Sequence, residues 1–217
     1  MEKKLRQEPI NIVKIVLFGP ESTGKTTLSR QLSRHYHTVW VPEYARTYLQ
    51  KKWNETRKTC ENKDLLPIAI GQMKSENDLA KKADKVLICD TDILETCVYS
   101  KAYYGGYVDP DLEAASLENT YDLYFLTYID TPWEADDLRD RPEQRKEMFT
   151  LFEDALIKHK RPYILLKGDK KSRLEQAIEA IDAILDQHQN LIIFSDDLTD
   201  IDLHFLHQNA DHNFGLD

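Results

Sequence analysis

Apolar and β-branched residues gather in five short runs along the chain, and polar stretches with helical spacing separate them. Ile12–Phe18, His37–Val41, Lys85–Cys89, Tyr121–Tyr128 and Tyr163–Leu166 each read as a strand. After the first, Leu28 and Leu32 stand four apart, the spacing of a helix face. Glu43–Leu49 opens a second helix, with an acid in its first turn. A third is expected from Leu66 or Pro67 to about Ala83, with Pro67 tolerated in its first turn. Gly71 inside it costs about 1 kcal/mol against alanine, which suggests that another group approaches closely there. Ile93, Leu94, Cys97 and Val98 form a helical stripe, Glu147–His159 a further helix, and Ser172 begins another, with Glu175 completing a capping box. Trp53–Asp64 and Tyr103–Tyr107 read as loops, and Leu191–Phe194 as one more strand. Strands alternating with helices predict an α/β fold: a mostly parallel sheet of about five strands with helices on both faces.

Between the first strand and the first helix lies Gly19-Pro20-Glu21-Ser22-Thr23-Gly24-Lys25-Thr26, which matches G-x-x-x-x-G-K-[ST] at every fixed position. The strand–loop–helix context is the one this phosphate-binding pattern requires. Gly19 and Gly24 permit backbone angles a Cβ would oppose. The amides of Glu21, Ser22, Thr23, Gly24, Lys25, Thr26 and Thr27 can then converge on an anion at the positive end of the helix. Lys25 is expected on the β- and γ-phosphates of ATP, and the Thr26 hydroxyl on Mg²⁺. This makes the chain a P-loop NTPase three-layer sandwich.

Composition narrows the setting. With 217 residues, 41% of them hydrophobic, one domain spanning 1–217 is expected. Residues 1–11 form a polar, frayed lead-in without the apolar middle of a secretory signal, and residues 189–217 an acidic segment of uncertain role. No apolar run reaches the roughly 18 to 20 residues of a membrane span. Cys60, Cys89 and Cys97 form no C-x-x-C pair, which suits a reduced, cytoplasmic setting. A net charge of −9 disfavours nucleic acid and acidic lipid as partners. His204 and His207 have ligand-like spacing but no carboxylate or cysteine partner, and read as surface histidines. A homo-oligomer is compatible with the sequence.

Ligands of such folds sit beyond the carboxyl ends of the strands. Asp90 closes an apolar strand, where an aspartate either holds Mg²⁺ or caps the next helix. Asp92 is either that cap or a substrate ligand. Glu43 is the candidate base for an acceptor hydroxyl, or else an acid serving only its helix. Arg46 steadies Glu43, touches a phosphate, or is simply exposed. Arg139, Arg141 and Arg145 lie in a polar segment that suits a closing lid, interleaved with Asp136, Asp137, Asp140 and Glu143 as a salt-bridged surface would be. An N-K-x-D motif and a D-x-x-G motif are both missing, which argues against a GTPase switch. The remaining alternatives are a kinase for another nucleoside or nucleotide, and an ATP-binding sensor.

Together Phe18–Leu28, Val41-Pro42-Glu43-Tyr44-Ala45-Arg46, Ile68-Ala69-Ile70-Gly71-Gln72, Asp90-Thr91-Asp92 and Asp130-Thr131-Pro132-Trp133 with Asp137 and Arg139 resemble the ribosylnicotinamide kinase domain of NadR-type proteins. The resemblance spans roughly Ile12 to Arg173. It implies ATP-dependent phosphorylation of the ribose 5′-hydroxyl of nicotinamide riboside, a small nucleoside, giving nicotinamide mononucleotide. Carboxylates such as Glu43 and Asp92, and an aromatic face from Tyr104 or Trp133, would then receive the cationic ring. Gln72 would suit its carboxamide, or is a plain exposed helix residue. No H-x-G-H adenylyl-transfer motif is present, so the kinase step alone is expected.

Overall fold

The computed structural model describes residues 4–139 and 141–188. Five strands form one parallel sheet in the order β2-β3-β1-β4-β5: β1 Val13–Phe18, β2 Trp40–Val41, β3 Val86–Asp90, β4 Leu123–Thr127 and β5 Tyr163–Leu166. The helices between them are α1 Lys25–His35, α2 Tyr44–Thr56, α3 Asn62–Ala80, α4 Ile93–Tyr103, α5 Pro110–Glu118 and α6 Arg145–Lys158, and α7 follows over 170–188.

The two-residue period of β1 explains the layering. Val13, Ile15 and Leu17 point to one face, where they meet Leu28 and Leu32 of α1 and Ala177 and Ile181 of α7. Val16 and Phe18 point to the other, toward Leu94 and Val98 of α4 and Phe149, Phe152 and Leu156 of α6. A strand buried on both faces needs no polar alternation, which is why its sequence is apolar but for Lys14. β1 joins β3 on one side and β4 on the other, so the chain reverses its winding beside the loop that follows β1. Open α/β sheets bind their ligands at that position.

The structure corrects several expectations. Trp53–Asp64 is mostly helical, because α2 runs to Thr56 and α3 starts at Asn62, with Glu61 and Asp64 as a reciprocal capping box. No residue of α2 is fully buried, which hid its periodicity. Pro67 therefore lies in the second turn of α3, not the first. The second strand shrinks to Trp40–Val41. Helix α5 escaped the pattern analysis, although Asp109 at the cap and Pro110 at its start are a standard opening. In α7 the cap is Asp169, which accepts the Ser172 N–H at 2.8 Å, so the expected Ser172 box does not form. The lead-in is docked from Leu5. Leu5 is buried with Ala69, Met73 and Leu112, and Gln7 donates to Glu76 at 2.7 Å. Gly71 meets its expected neighbour: a Cβ there would lie 2.1 Å from the Tyr44 ring. Among the described residues no helix is long and apolar enough to cross a membrane. Residues 1–3, Asp140, the Leu191–Phe194 run, and His204 and His207 lie outside the described residues.

Candidate active site

The loop between β1 and α1 folds as its glycines allow. Gly19 has φ +138°, Ser22 +59° and Gly24 +86°. At Gly19 a Cβ would stand 2.7 Å from the Thr127 hydroxyl and 3.0 Å from its carbonyl, so the loop lies directly against the end of β4. The Thr23 hydroxyl closes the loop on itself, 2.8 Å from the Pro20 carbonyl and 2.7 Å from Thr127 Oγ1. Lys25 is buried and donates to the Gly19 carbonyl at 2.5 Å and the Pro20 carbonyl at 3.1 Å. Thr27 is exposed on α1.

Thr26 Oγ1 donates to Asp90 Oδ2 at 2.6 Å, while Asp90 Oδ1 is buried without a partner. Burial, and then the nearby charge of Glu43, push the Asp90 carboxyl up to about 7 against the pull of Lys25. A buried acid with an unsatisfied oxygen beside a helix-terminal threonine hydroxyl fits a hard divalent cation shared with phosphate oxygens. Among the described residues no group of three or more His, Cys, Asp or Glu side chains is placed to hold a metal. Phosphate and water would therefore complete any Mg²⁺ shell here.

Beside the loop opens a cavity of about 180 Å³, lined by residues of α2, α3 and α4 and by Asp137 and Leu138. Glu43 lines it, at the cap position of α2 but with no capping hydrogen bond. Glu21 and Asp137 line it as well, with Tyr99, Tyr103 and Tyr104, and among the described residues neither lysine nor arginine does. Tyr104 also donates to the Cys60 carbonyl at 3.0 Å.

Other expected substrate residues are placed elsewhere. Asp92 is buried and caps α4, accepting the Glu95 N–H at 3.0 Å and the Tyr124 hydroxyl at 2.8 Å. Both of its oxygens accept hydrogen bonds in the core, and it does not line the cavity. Burial pushes its carboxyl up to about 6, against the Tyr124 hydrogen bond. A folded-state value raised from 3.8 gives stability that is full below about pH 4 and lost as pH rises through about 6. The difference corresponds to about 3 kcal/mol. Asp92→Asn should remove that slope: between pH 4 and pH 7 the variant gains on the wild type in urea midpoint.

Gln72 is neither exposed nor free. It accepts the Tyr44 N–H at 2.8 Å and donates to the Thr91 carbonyl at 3.5 Å, tying α2 to the end of β3. It is buried in the helix packing and does not line the cavity. Arg46 pairs with Asp136 at 2.8 Å, and Arg139 with the same carboxylate at 3.0 Å, so both bind the segment after β4 rather than the phosphate loop. Arg141 lies 3.7 Å from the centre of the Tyr103 ring, in a cleft with Glu21 and Trp133 at the loop's edge. Trp133 lines that cleft, not the cavity.

Three further side chains reach the loop. Glu95 of α4 lies 3.3 Å from Lys25 Nζ, lines the cavity, and is 4% exposed. Burial drives its carboxyl well up against the pull of Lys25. Burial alone would lower the lysine, but Glu95, Glu43 and Asp90 outweigh it and hold its ammonium above the ordinary value. An acid set within the apolar stripe of Leu94, Cys97 and Val98 was the signal for Glu95. Arg173 donates to the Thr23 carbonyl at 2.6 Å and the Tyr128 carbonyl at 2.9 Å, and pairs with Asp130. It follows the turn after β5, so the strand-end rule pointed to it. Arg145 donates to the Thr131 carbonyl at 2.8 Å and the Ser22 carbonyl at 3.4 Å.

Comparison with known proteins agrees with this fold. The model of the AAA domain family matches residues 14–173. The chain is 28% identical over 177 residues to the trifunctional NAD biosynthesis/regulator protein NadR of Salmonella typhimurium, covering 80% of this chain and 43% of that protein. It thus spans less than half the length of that relative. A crystal structure of NadR protein in complex with NR is similar at TM-score 0.63 and 22% identity, over 79% of this chain and 51% of that one. A deoxyadenosine kinase from M. mycoides, with dCMP and dCDP bound, is similar at TM-score 0.59 and 17% identity, over 79% and 100% respectively. These two likenesses are to the fold.

Proposed function

The chain belongs to the AAA domain family, and from that premise we propose that it is an ATP-dependent kinase that phosphorylates the 5′-hydroxyl of nicotinamide riboside. The observation that carries this reading is the cavity beside the phosphate loop. It offers the carboxyl groups of Glu21, Glu43, Glu95 and Asp137 and three tyrosines, with no lysine or arginine among the described residues. A phosphorylated acceptor would bring two negative charges into that field. A neutral nucleoside avoids this repulsion, and a cationic pyridinium is attracted by the acids and by the tyrosine faces. The relatives named for NAD biosynthesis support the choice of nicotinamide riboside among nucleosides.

In this reading Glu43 accepts the proton of the acceptor hydroxyl as its oxygen attacks the terminal phosphorus. Loop amides and Lys25 neutralise the charge that spreads over the transferred group. Thr26 and Asp90 would hold Mg²⁺, which supplies positive charge to the phosphate oxygens. Arg173 and Arg145 hold the carbonyls of Thr23 and Ser22, which keeps the loop amides turned inward. Catalysis here is positioning and electrostatics, as phosphoryl transfer requires.

The test is ADP release measured across a panel of nucleosides and nucleoside monophosphates. Nicotinamide riboside should give the highest kcat/KM, and monophosphates of the same bases should give none above background. Release supported only by a monophosphate would overturn the reading, and release by a different nucleoside would reassign the acceptor.

A further inference from the structure

The ammonium of Lys25 carries three hydrogens, and three protein oxygens already lie within reach: Gly19 O at 2.5 Å, Pro20 O at 3.1 Å and Glu95 Oε1 at 3.3 Å. A triphosphate has to displace at least one of them. Two are neutral carbonyls of the loop itself. The third belongs to an acid, the stronger competitor for a cation. Glu95 arises from α4 on the acceptor side, lines the cavity, and leaves Oε2 buried without a hydrogen-bond partner. An unsatisfied buried carboxyl oxygen is costly, and a hydroxyl entering the cavity would satisfy it.

We infer that Glu95 is a positioning residue that holds Lys25 away from the triphosphate until an acceptor hydroxyl engages its second oxygen. This inference rests on the phosphoryl-transfer reading of the site. A hydroxyl donating to Oε2 shares the charge of the carboxyl and loosens its hold on the lysine, which then turns to the phosphates. Without an acceptor the lysine stays on Glu95, and bound ATP lacks that contact. The wasteful reaction is thereby suppressed. In that reaction a water oxygen bonds to the γ-phosphorus, and the bond from phosphorus to the β–γ bridging oxygen breaks. ADP departs with the electron pair, and the water proton passes to solvent.

Glu95→Gln keeps the shape and an acceptor oxygen but removes the charge. In the full chain, titrated with AMP-PNP and Mg²⁺ and no nucleoside, it should bind about tenfold more tightly than the wild type, within the usual range of site coupling. Acceptor-free ADP release should rise by a similar factor. In a Lys25→Met background the same substitution should leave AMP-PNP affinity unchanged, since its effect runs through the lysine. A merely structural role would weaken binding, not tighten it. If Glu95→Gln fails to fold, Glu95→Asp, which withdraws the carboxyl by one methylene, should shift affinity in the same direction. Unchanged or weaker affinity in a folded Glu95 variant overturns this inference alone. Failure of the wild type to bind AMP-PNP overturns the phosphoryl-transfer reading together with it.

Discussion

Lys25→Met should lower turnover by about 100- to 1,000-fold, the loss seen when one preorganised donor to a developing negative charge is removed. The lysine is buried at the start of α1, among the carbonyls of its own loop, and cannot be replaced by a neighbouring cation in the cavity. Methionine retains the length and apolar stem, so the packing against the loop survives. The charge that is lost leaves Glu95 without its ion-pair partner. Burial already drives that carboxyl well up, so it takes a proton rather than remaining a bare buried charge. The fold should therefore stand, and a thermal melt at neutral pH checks it. Steady-state ADP release with saturating acceptor gives the kinetic comparison. Turnover equal to the wild type would show that this loop does not carry the transfer.

The parts of the molecule that were legible in the sequence are those set by local chemistry. Strand β1 is apolar but for Lys14, the glycine loop is spelled out residue by residue, and Asp90 is the residue on which β3 ends. Such features depend on a few adjacent residues, and the fold places them at one end of the sheet without further information. What stayed hidden depends on contacts across long sequence separations. Arg173 and Thr23 are 150 residues apart, and nothing local to either predicts their hydrogen bond. Asp92 and Gln72 have residue types that suit a ligand, but Tyr124 and Tyr44 claim them first. The arginines after β4 divide the same way: Arg139 is taken up by Asp136, while Arg145, from the same polar stretch, reaches the loop. Burial of a polar side chain is thus the property that local pattern conveys least well, and among the buried acids Asp92 has both oxygens taken while Asp90 and Glu95 each keep one without a partner.

Glu43→Gln should lower kcat by about 100- to 10,000-fold while KM for the acceptor changes by only a few-fold. Glutamine can still accept a hydrogen bond from the acceptor hydroxyl in the ground state. It cannot take the proton as the oxygen attacks, so the loss is confined to the transition state. The structure makes this substitution clean, because the Glu43 side chain makes no capping bond that glutamine would break. Stability should accordingly stay within about 0.5 kcal/mol of the wild type, as for an ordinary surface change. If KM alone rises, Glu43 is a substrate ligand and the base lies elsewhere. Asp90 is then a poor substitute, since it is buried on the loop side and holds the Thr26 hydroxyl at 2.6 Å. Glu95 is the better one: it lines the same cavity, and its Oε2 has no partner. A matched comparison of Glu43→Gln and Glu95→Gln at saturating acceptor separates the two assignments, because the base lowers kcat and the residue that restrains Lys25 does not.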